Sequence, residues 1–291
     1  MIKERPSRHI FQAFNYFALA LYALIALVPL IHLGAVSLSK TSFAEAGQVI
    51  FLPKGLNFKA YEYVFSKPEF FTSLLNSFAR LALGVPLNLL MCFLAAYPLS
   101  RPKGKLTGRT AITWYFFLTM LFSGGLVPSY MLITSLSLED KIFALILPGA
   151  VPIFNVVLMI NFFRQVPEEI HEAADIDGAG EFRILFKLYV PLSLPSVVTI
   201  GLFCIVAHWN SWLDGILYMS TLARMPLQSY LQSVVIGGVE GNIDNLIDTN
   251  YVSQTTIDAA RLFLAVIPVA IMYFPLQKYF IKGLTLGGVK G

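Results

Sequence analysis

The sequence predicts an all-α integral membrane protein with six transmembrane helices, and three observations predict it. The 291 residues are 56% hydrophobic and only 13% charged, whereas soluble domains carry about 25% charged residues. Apolar runs of about 20 residues, the length that crosses a bilayer, recur along the chain. The basic residues gather in alternate connections between those runs, as the positive-inside rule requires of a multi-pass protein.

The first run, Phe11–Val36, follows an arm carrying Lys3, Arg5 and Arg8. It has no small-residue cleavage signature, so it reads as a retained span rather than a signal peptide. The second, Phe71–Leu99, leads into Arg101, Lys103, Lys105 and Arg109 with no acid among them. The third, Ala111–Ile133, and the fourth, Ile142–Phe163, flank a short connection at 134–141. A charged segment, 164–191, precedes the fifth run, Leu192–Leu213. After a long connection at 214–261 comes the sixth, Leu262–Ile281, and a tail at 282–291 with Lys282 and Lys290. Six spans place the arm, the basic loop, segment 164–191 and the tail on one side. That side is the cytoplasm, with both termini there, and residues 1–291 form a single transmembrane domain. The net charge of +4 is spread over these loops, so nucleic acid is not an expected partner. Cys92 and Cys204 lie inside apolar runs and read as small buried hydrophobes; no metal site is expected. Every run contains proline, which removes a backbone donor and predicts bent or broken helices lining a path.

Segment 164–191 is the most informative stretch. Pro167 suits the first turn of a helix, and Glu168 and Glu169 favour the positive end of its dipole. Ala173 and Ala174 are small enough for another chain to approach closely. Gly178 permits a turn with positive φ, and Pro191 is expected to stop the next helix. Phe182, Leu185, Phe186 and Tyr189 fall at helical spacing, which suits packing beneath the membrane domain.

The pattern Glu172-Ala173-Ala174, Asp177-Gly178-Ala179, then Leu188-x-Val190-Pro191 resembles the coupling loop of ABC-importer permeases. The ending Gly283-Leu284-Thr285-Leu286-Gly287-Gly288-Val289-Lys290-Gly291 resembles the smaller permease subunit of maltose-type sugar importers. Asn76-Ser77, Ala95–Arg101, Trp209-Asn210-Ser211-Trp212 and Gln277–Phe280 are similar to positions of its oligosaccharide branch. The resemblance implies the type I importer fold in the bacterial cytoplasmic membrane, and an ATP-driven machine in which Glu172–Gly178 docks on an ATPase. It also implies that the tail, through Gly287, Gly288 and Lys290, enters the ATPase interface. The implied partners are a second, related permease, two ATPase subunits, an external binding protein and a saccharide. No phosphate-binding loop G-x-x-x-x-G-K-[ST] is present. ATP and magnesium therefore belong to the ATPase chains, no cofactor is expected on this one, and the chain alone is not an enzyme.

For the substrate path, the expected residues are His208, Trp209, Asn210, Trp212 and Asp214, near the outer end of the fifth run. Indole stacks on sugar faces, while amides and carboxylates bond hydroxyls. On one continuous helix, His208 would share a face with Trp212, and Asn210 with Asp214. Arg80, an ionisable group inside a span, is expected to face the path and pass an anionic saccharide such as an oligo-uronate. The outer loops carry Lys40, Lys54, Lys59 and Lys67, and Glu240, Asp244, Asp248 and Asp258, suited to docking a binding protein. A peptide or anion importer, a secondary transporter and a membrane scaffold remain as alternatives.

Overall fold

The computed structural model describes residues 6–102, 106–238 and 252–288. Its regular structure is helical throughout the described residues. In chain order these helices are α1 Pro6–Ser37, α2 Thr41–Glu45, α3 Lys59–Ser66, α4 Pro68–Ser100, α5 Arg109–Leu121, α6 Leu126–Ser135, α7 Ile142–Ile146 and α8 Ile153–Phe163. They continue with α9 Glu168–Ile176, α10 Glu181–Leu192, α11 Leu194–Asn210, α12 Leu213–Tyr218, α13 Leu227–Leu231 and α14 Gln254–Gly288. The chain separates into two compact units: Met1–Pro68 with Val234–Pro268, and Glu69–Ser233 with Val269–Gly291.

In the first unit, α1 is apolar on every side over its middle, residues 16–31. Phe11, Phe14, Phe17, Tyr22 and Ile25 are each at least 61% exposed. A helix with no polar face and no packed face is at home in lipid or against another membrane chain. Its C-terminal end does pack: Ala35 and Val36 meet Ala44, Val49 and Ala259. There the Ser37 hydroxyl lies 2.7 Å from that of Tyr61. Helix α14 starts at Gln254, eight residues before the expected span. This brings Asp258 and Arg261 into the helix, joined at 3.3 Å.

The second unit packs α4, α8, α10 and α11 around Cys92, Ala96, Met159, Phe163, Ile184, Leu185, Ile200 and Cys204. Lipid tails are as apolar as leucine, so close packing and interhelical hydrogen bonds, not burial from water, hold such helices together. One such bond runs from Asn155 Nδ2 to Cys204 Sγ at 3.3 Å.

The expected breaks at proline are only partly right. Pro29, Pro86 and Pro98 sit inside continuous helices. The sharpest bend, 108° between α5 and α6, falls instead at Phe122–Gly125. The third expected span, Ala111–Ile133, is therefore two helices. The fourth, Ile142–Phe163, is also divided, because Pro148 and Pro152 bracket the non-helical stretch between α7 and α8. Three described helices are long and apolar enough to cross a membrane alone: the runs Phe11–Ser37, Pro68–Ser100 and Gln254–Tyr273. Two bent pairs, α5 with α6 and α10 with α11, pass the same test jointly.

Candidate functional site

Helix α9 carries the expected docking residues, and its ends are built as the sequence suggests. Pro167 precedes it, and Glu168 and Glu169 occupy the first turn. At the other end Gly178 adopts φ +73°. Its N–H donates to the Asp175 carbonyl at 3.0 Å, and that of Ala179 to the Ala174 carbonyl at 3.0 Å. These two bonds are the paired closure of a left-handed helix cap. Ala174 and Ala179 rest together against the core of the unit. Glu172, Ala173, Asp177 and Gly178 remain exposed.

Beside them stand two apolar side chains with no cover, Ile176 at 87% and Phe182 at 72% exposure. Phe182 was expected to pack beneath the membrane domain and does not. Leu185 and Tyr189 do, at 2% and 3%, while Phe186 is 41% exposed. Pro191 does not end its helix. The helical turn runs on to Leu192, and the chain bends by 88° at Ser193. Just before Pro191, Leu185–Tyr189 widen to a π-helical turn, which accommodates a residue that cannot donate to the preceding turn.

Helix α9 is keyed into the unit by His171, which is 1% exposed. Its ring lies 6.4 Å from that of Tyr97 and 6.0 Å from that of Tyr189. Those two tyrosines meet edge to face at 5.0 Å. Tyr97 donates to Glu181, and Arg101 donates to the Tyr189 hydroxyl at 2.9 Å. These contacts tie α9 to α4 and α10. His171, Asp175 and Glu181 place ligand-type atoms within 4.8 Å of one another. The i,i+4 contact of His171 Nε2 with Asp175 at 3.1 Å and the Tyr97 bond to Glu181 engage part of this group, while His171 Nδ1 is buried with no hydrogen-bond partner.

The second cluster joins the expected substrate-path residues, in an arrangement other than the expected one. Arg80 is 3% exposed. Its Nε donates to His208 Nδ1 at 3.2 Å, and its two terminal nitrogens pair with the Asp214 carboxylate. The same nitrogens reach the Ser211 carbonyl at 3.4 Å and the Leu145 carbonyl at 3.2 Å. The guanidinium thus caps the C-terminal ends of α7 and α11, where carbonyls lack partners and a cation is favoured. The donors of Arg80 are thus taken up by acceptors within this chain.

His208 is held on its other side by Asn88, with Nε2 to Oδ1 at 2.7 Å. Asn88 Nδ2 donates to the carbonyls of Gly149 and Ala150 at 2.8 and 3.0 Å. Asn88 Oδ1 is an acceptor, so Nε2 of His208 carries the proton and Nδ1 accepts from Arg80. A Cβ at Gly84 would stand 2.6 Å from His208 Nε2, so glycine is what lets this imidazole approach α4.

The continuous helix expected over 208–214 is broken. Ser211 is extended at ψ 122°, and Asp214 Oδ1 accepts from the Ser211 hydroxyl and the Gly215 N–H, both at 2.9 Å. The proposed shared faces therefore do not form. Trp209 is buried, edge to face with Phe78 at 5.9 Å. Asn210 and Trp212 stay exposed. Sequence reasoning missed Asn88, Gly84 and His171; only Asn88, a polar residue amid leucines, carried a signal. It also left Asn76 and Ser77 unexplained. They hold the 223–227 connection, Asn76 Nδ2 to the Ala223 carbonyl at 2.9 Å and the Leu227 N–H to Ser77 Oγ at 2.7 Å. Of the tail, Gly287 and Gly288 close α14, and Lys290 lies outside the described residues, as do Glu240, Asp244 and Asp248.

Residues 58–280 match the family described as "Binding-protein-dependent transport system inner membrane component". The chain belongs to this family. It is a multi-pass inner-membrane permease of an ABC transporter, working with a binding protein and with ATPases that are separate chains. The permease is 37% identical over 284 residues, 97% of its length and 99% of the relative's, to the polygalacturonan/rhamnogalacturonan transport system permease protein YtcP of Bacillus subtilis. It is 30% identical to the galactooligosaccharides transport system permease protein GanQ of the same organism, across 98% of this chain and 97% of that one. A chain from the crystal structure of a bacterial ABC transporter involved in the import of the acidic polysaccharide alginate superposes with a TM-score of 0.86 at 32% identity. That match covers 96% of this permease and all of the other chain. The type I importer permease fold expected from the sequence is thereby shown.

Proposed function

We propose that this permease is one of two related membrane subunits of an oligosaccharide importer whose cargo is acidic, a uronate-containing chain. The observation that carries the substrate class is its likeness, over nearly its whole length, to permeases named for polygalacturonan and for alginate. Both polymers bear a carboxylate on their sugar rings. Two ATPase copies complete the machine, with both termini of this chain on their side.

In this mechanism ATP closes the ATPases, α9 moves with them, and the Tyr97–His171–Tyr189 contact passes the motion to α4 and α10. Ile176 and Phe182, bare in the single chain, are covered by the ATPase. Trp212 and Asn210 supply a stacking face and an amide to the passing sugar. Arg80 acts as a positioning residue that holds their broken helix in place.

The test is to purify the complex from its native membrane, identify its subunits, and screen its binding protein against oligogalacturonate, alginate oligomers and neutral galacto- and arabino-oligosaccharides. Binding of an acidic oligomer, with uptake driven by ATP in vesicles, supports the proposal. Binding of neutral oligomers alone removes the acidic cargo. Uptake driven by an ion gradient without ATP removes the mechanism.

A further inference from the structure

The ends of α4 and α8, the start of α5 and the first turn of α9 border a cavity of about 560 Å³. Arg101, Arg109 and Arg164 all line it. Arg101 is 7% exposed, and the acceptor of its Nη1 is a neutral phenol, that of Tyr189. Arg109 donates to the backbone carbonyl of Arg101. Partial desolvation and then the nearby Arg109 push the Arg164 guanidinium, which stays exposed, below its usual range. Glu168 and Glu169 line the same cavity, yet among the described residues no ion pair joins them to these arginines. The first turn of α9 faces this space with no side-chain cap, leaving backbone donors and the positive end of the helix beside it.

Three guanidiniums gather on one cavity; Arg101 is buried and, among the described residues, none of the three is ion-paired, so the buried charge is costly as it stands. An anion with several oxygens relieves that cost. We infer that this cavity binds a phosphate group. Guanidinium forks match phosphate oxygens in pairs. The cavity lies just past the end of the long apolar helix Pro68–Ser100, which a bilayer would place near its headgroups, so an anionic phospholipid is the nearest source; inorganic phosphate from solution is the other. The inference rests on the cytoplasmic placement of this end for the leaflet concerned, and not on the sugar. Because the cavity includes Pro167, Glu168 and Glu169, an occupant braces the root of the docking helix and links lipid composition to coupling.

The assembled transporter, purified in mild detergent with its partner subunits, should retain an anionic phospholipid in native mass spectrometry. Arg109→Gln with Arg164→Gln should weaken retention roughly thirty-fold, two surface charges' worth. The paired lysine variants should keep most of it. Arg164→Gln alone, at an exposed position, serves if the double variant fails to assemble. In nanodiscs of phosphatidylcholine only, titration with inorganic phosphate should raise the melting temperature if the source is solution. Retained lipid that is lost in the glutamine variant assigns the headgroup. A phosphate-induced rise without retained lipid, also lost in the variant, assigns the free ion. Neither signal, or a signal undiminished in the variant, overturns the site. Labelling of Thr107→Cys with an impermeant thiol reagent reports the orientation independently, so its failure is distinguishable from failure of the site.

Discussion

A guanidinium inside a membrane helix either faces water or finds its acceptors in the protein. Arg80 finds two helix ends, an imidazole and a carboxylate. Removing one side of a buried ion pair costs about 3–5 kcal/mol because the other charge is stranded. Arg80→Gln and Asp214→Asn should each lower the thermal stability of the purified complex by that order. Arg80→Met combined with Asp214→Leu should recover most of the loss. Any uptake that survives in Arg80→Gln should fall equally for acidic and neutral oligosaccharides; a selective loss of acidic uptake would return Arg80 to the substrate path.

At the surface, Asp140 accepts from the Ser220 N–H and hydroxyl at 2.8 and 2.7 Å and meets Arg224 at 3.0 Å. The two Ser220 bonds, more than Arg224, hold its carboxyl below the usual range. A lowered folded-state value means that this contribution is present above about pH 3.9, the unfolded value, and is lost as pH falls through the folded value. Proteolysis of the 134–141 connection should accelerate on acidification through that window in the native chain. In Asp140→Asn it should be fast at every pH.

Helix α9 is an element whose two ends are set by backbone chemistry. A non-glycine residue in the left-handed region costs about 1–2 kcal/mol, and nothing crowds Gly178 within 4 Å. The strain is therefore purely one of backbone. Gly178→Ala should slow ATP-coupled uptake, and Gly178→Asn, which tolerates this φ better, should slow it less. Ile176→Asp or Phe182→Asp should leave the chain folded, since both side chains are bare, yet abolish co-purification of the ATPase. Retained ATPase in both variants would locate the docking surface elsewhere.

For the whole molecule, cysteines placed at Thr107 and at Ser220 should react with impermeant reagents from opposite sides of the membrane. Labelling of both from outside would invert or break the assumed topology. Much of this architecture is legible in sequence, because length and hydropathy are one-dimensional properties. The apolar runs Phe11–Ser37 and Pro68–Ser100 match the expected spans to within three residues at each end. The docking helix is legible for a related reason: its start and end signals, Pro167 and Gly178, are local. The polar cluster is not. Arg80, Asn88, His208 and Asp214 are up to 134 positions apart, and what unites them is the break at Ser211, which hydropathy does not register. The bend at Phe122–Gly125 had a local signal in Gly124-Gly125 ahead of Pro128, and there glycine rather than proline redirects the chain.

Gly84 and His208 carry a consequence for descent. Since a methyl at 84 would overlap the imidazole, a lineage that acquires a side chain there must first shrink residue 208. That loss in turn leaves Asn88 and Arg80 without a shared partner. These positions can drift only as a set, through intermediates that are worse than either end. A relative that departs at one of them should therefore be found to have departed at the others.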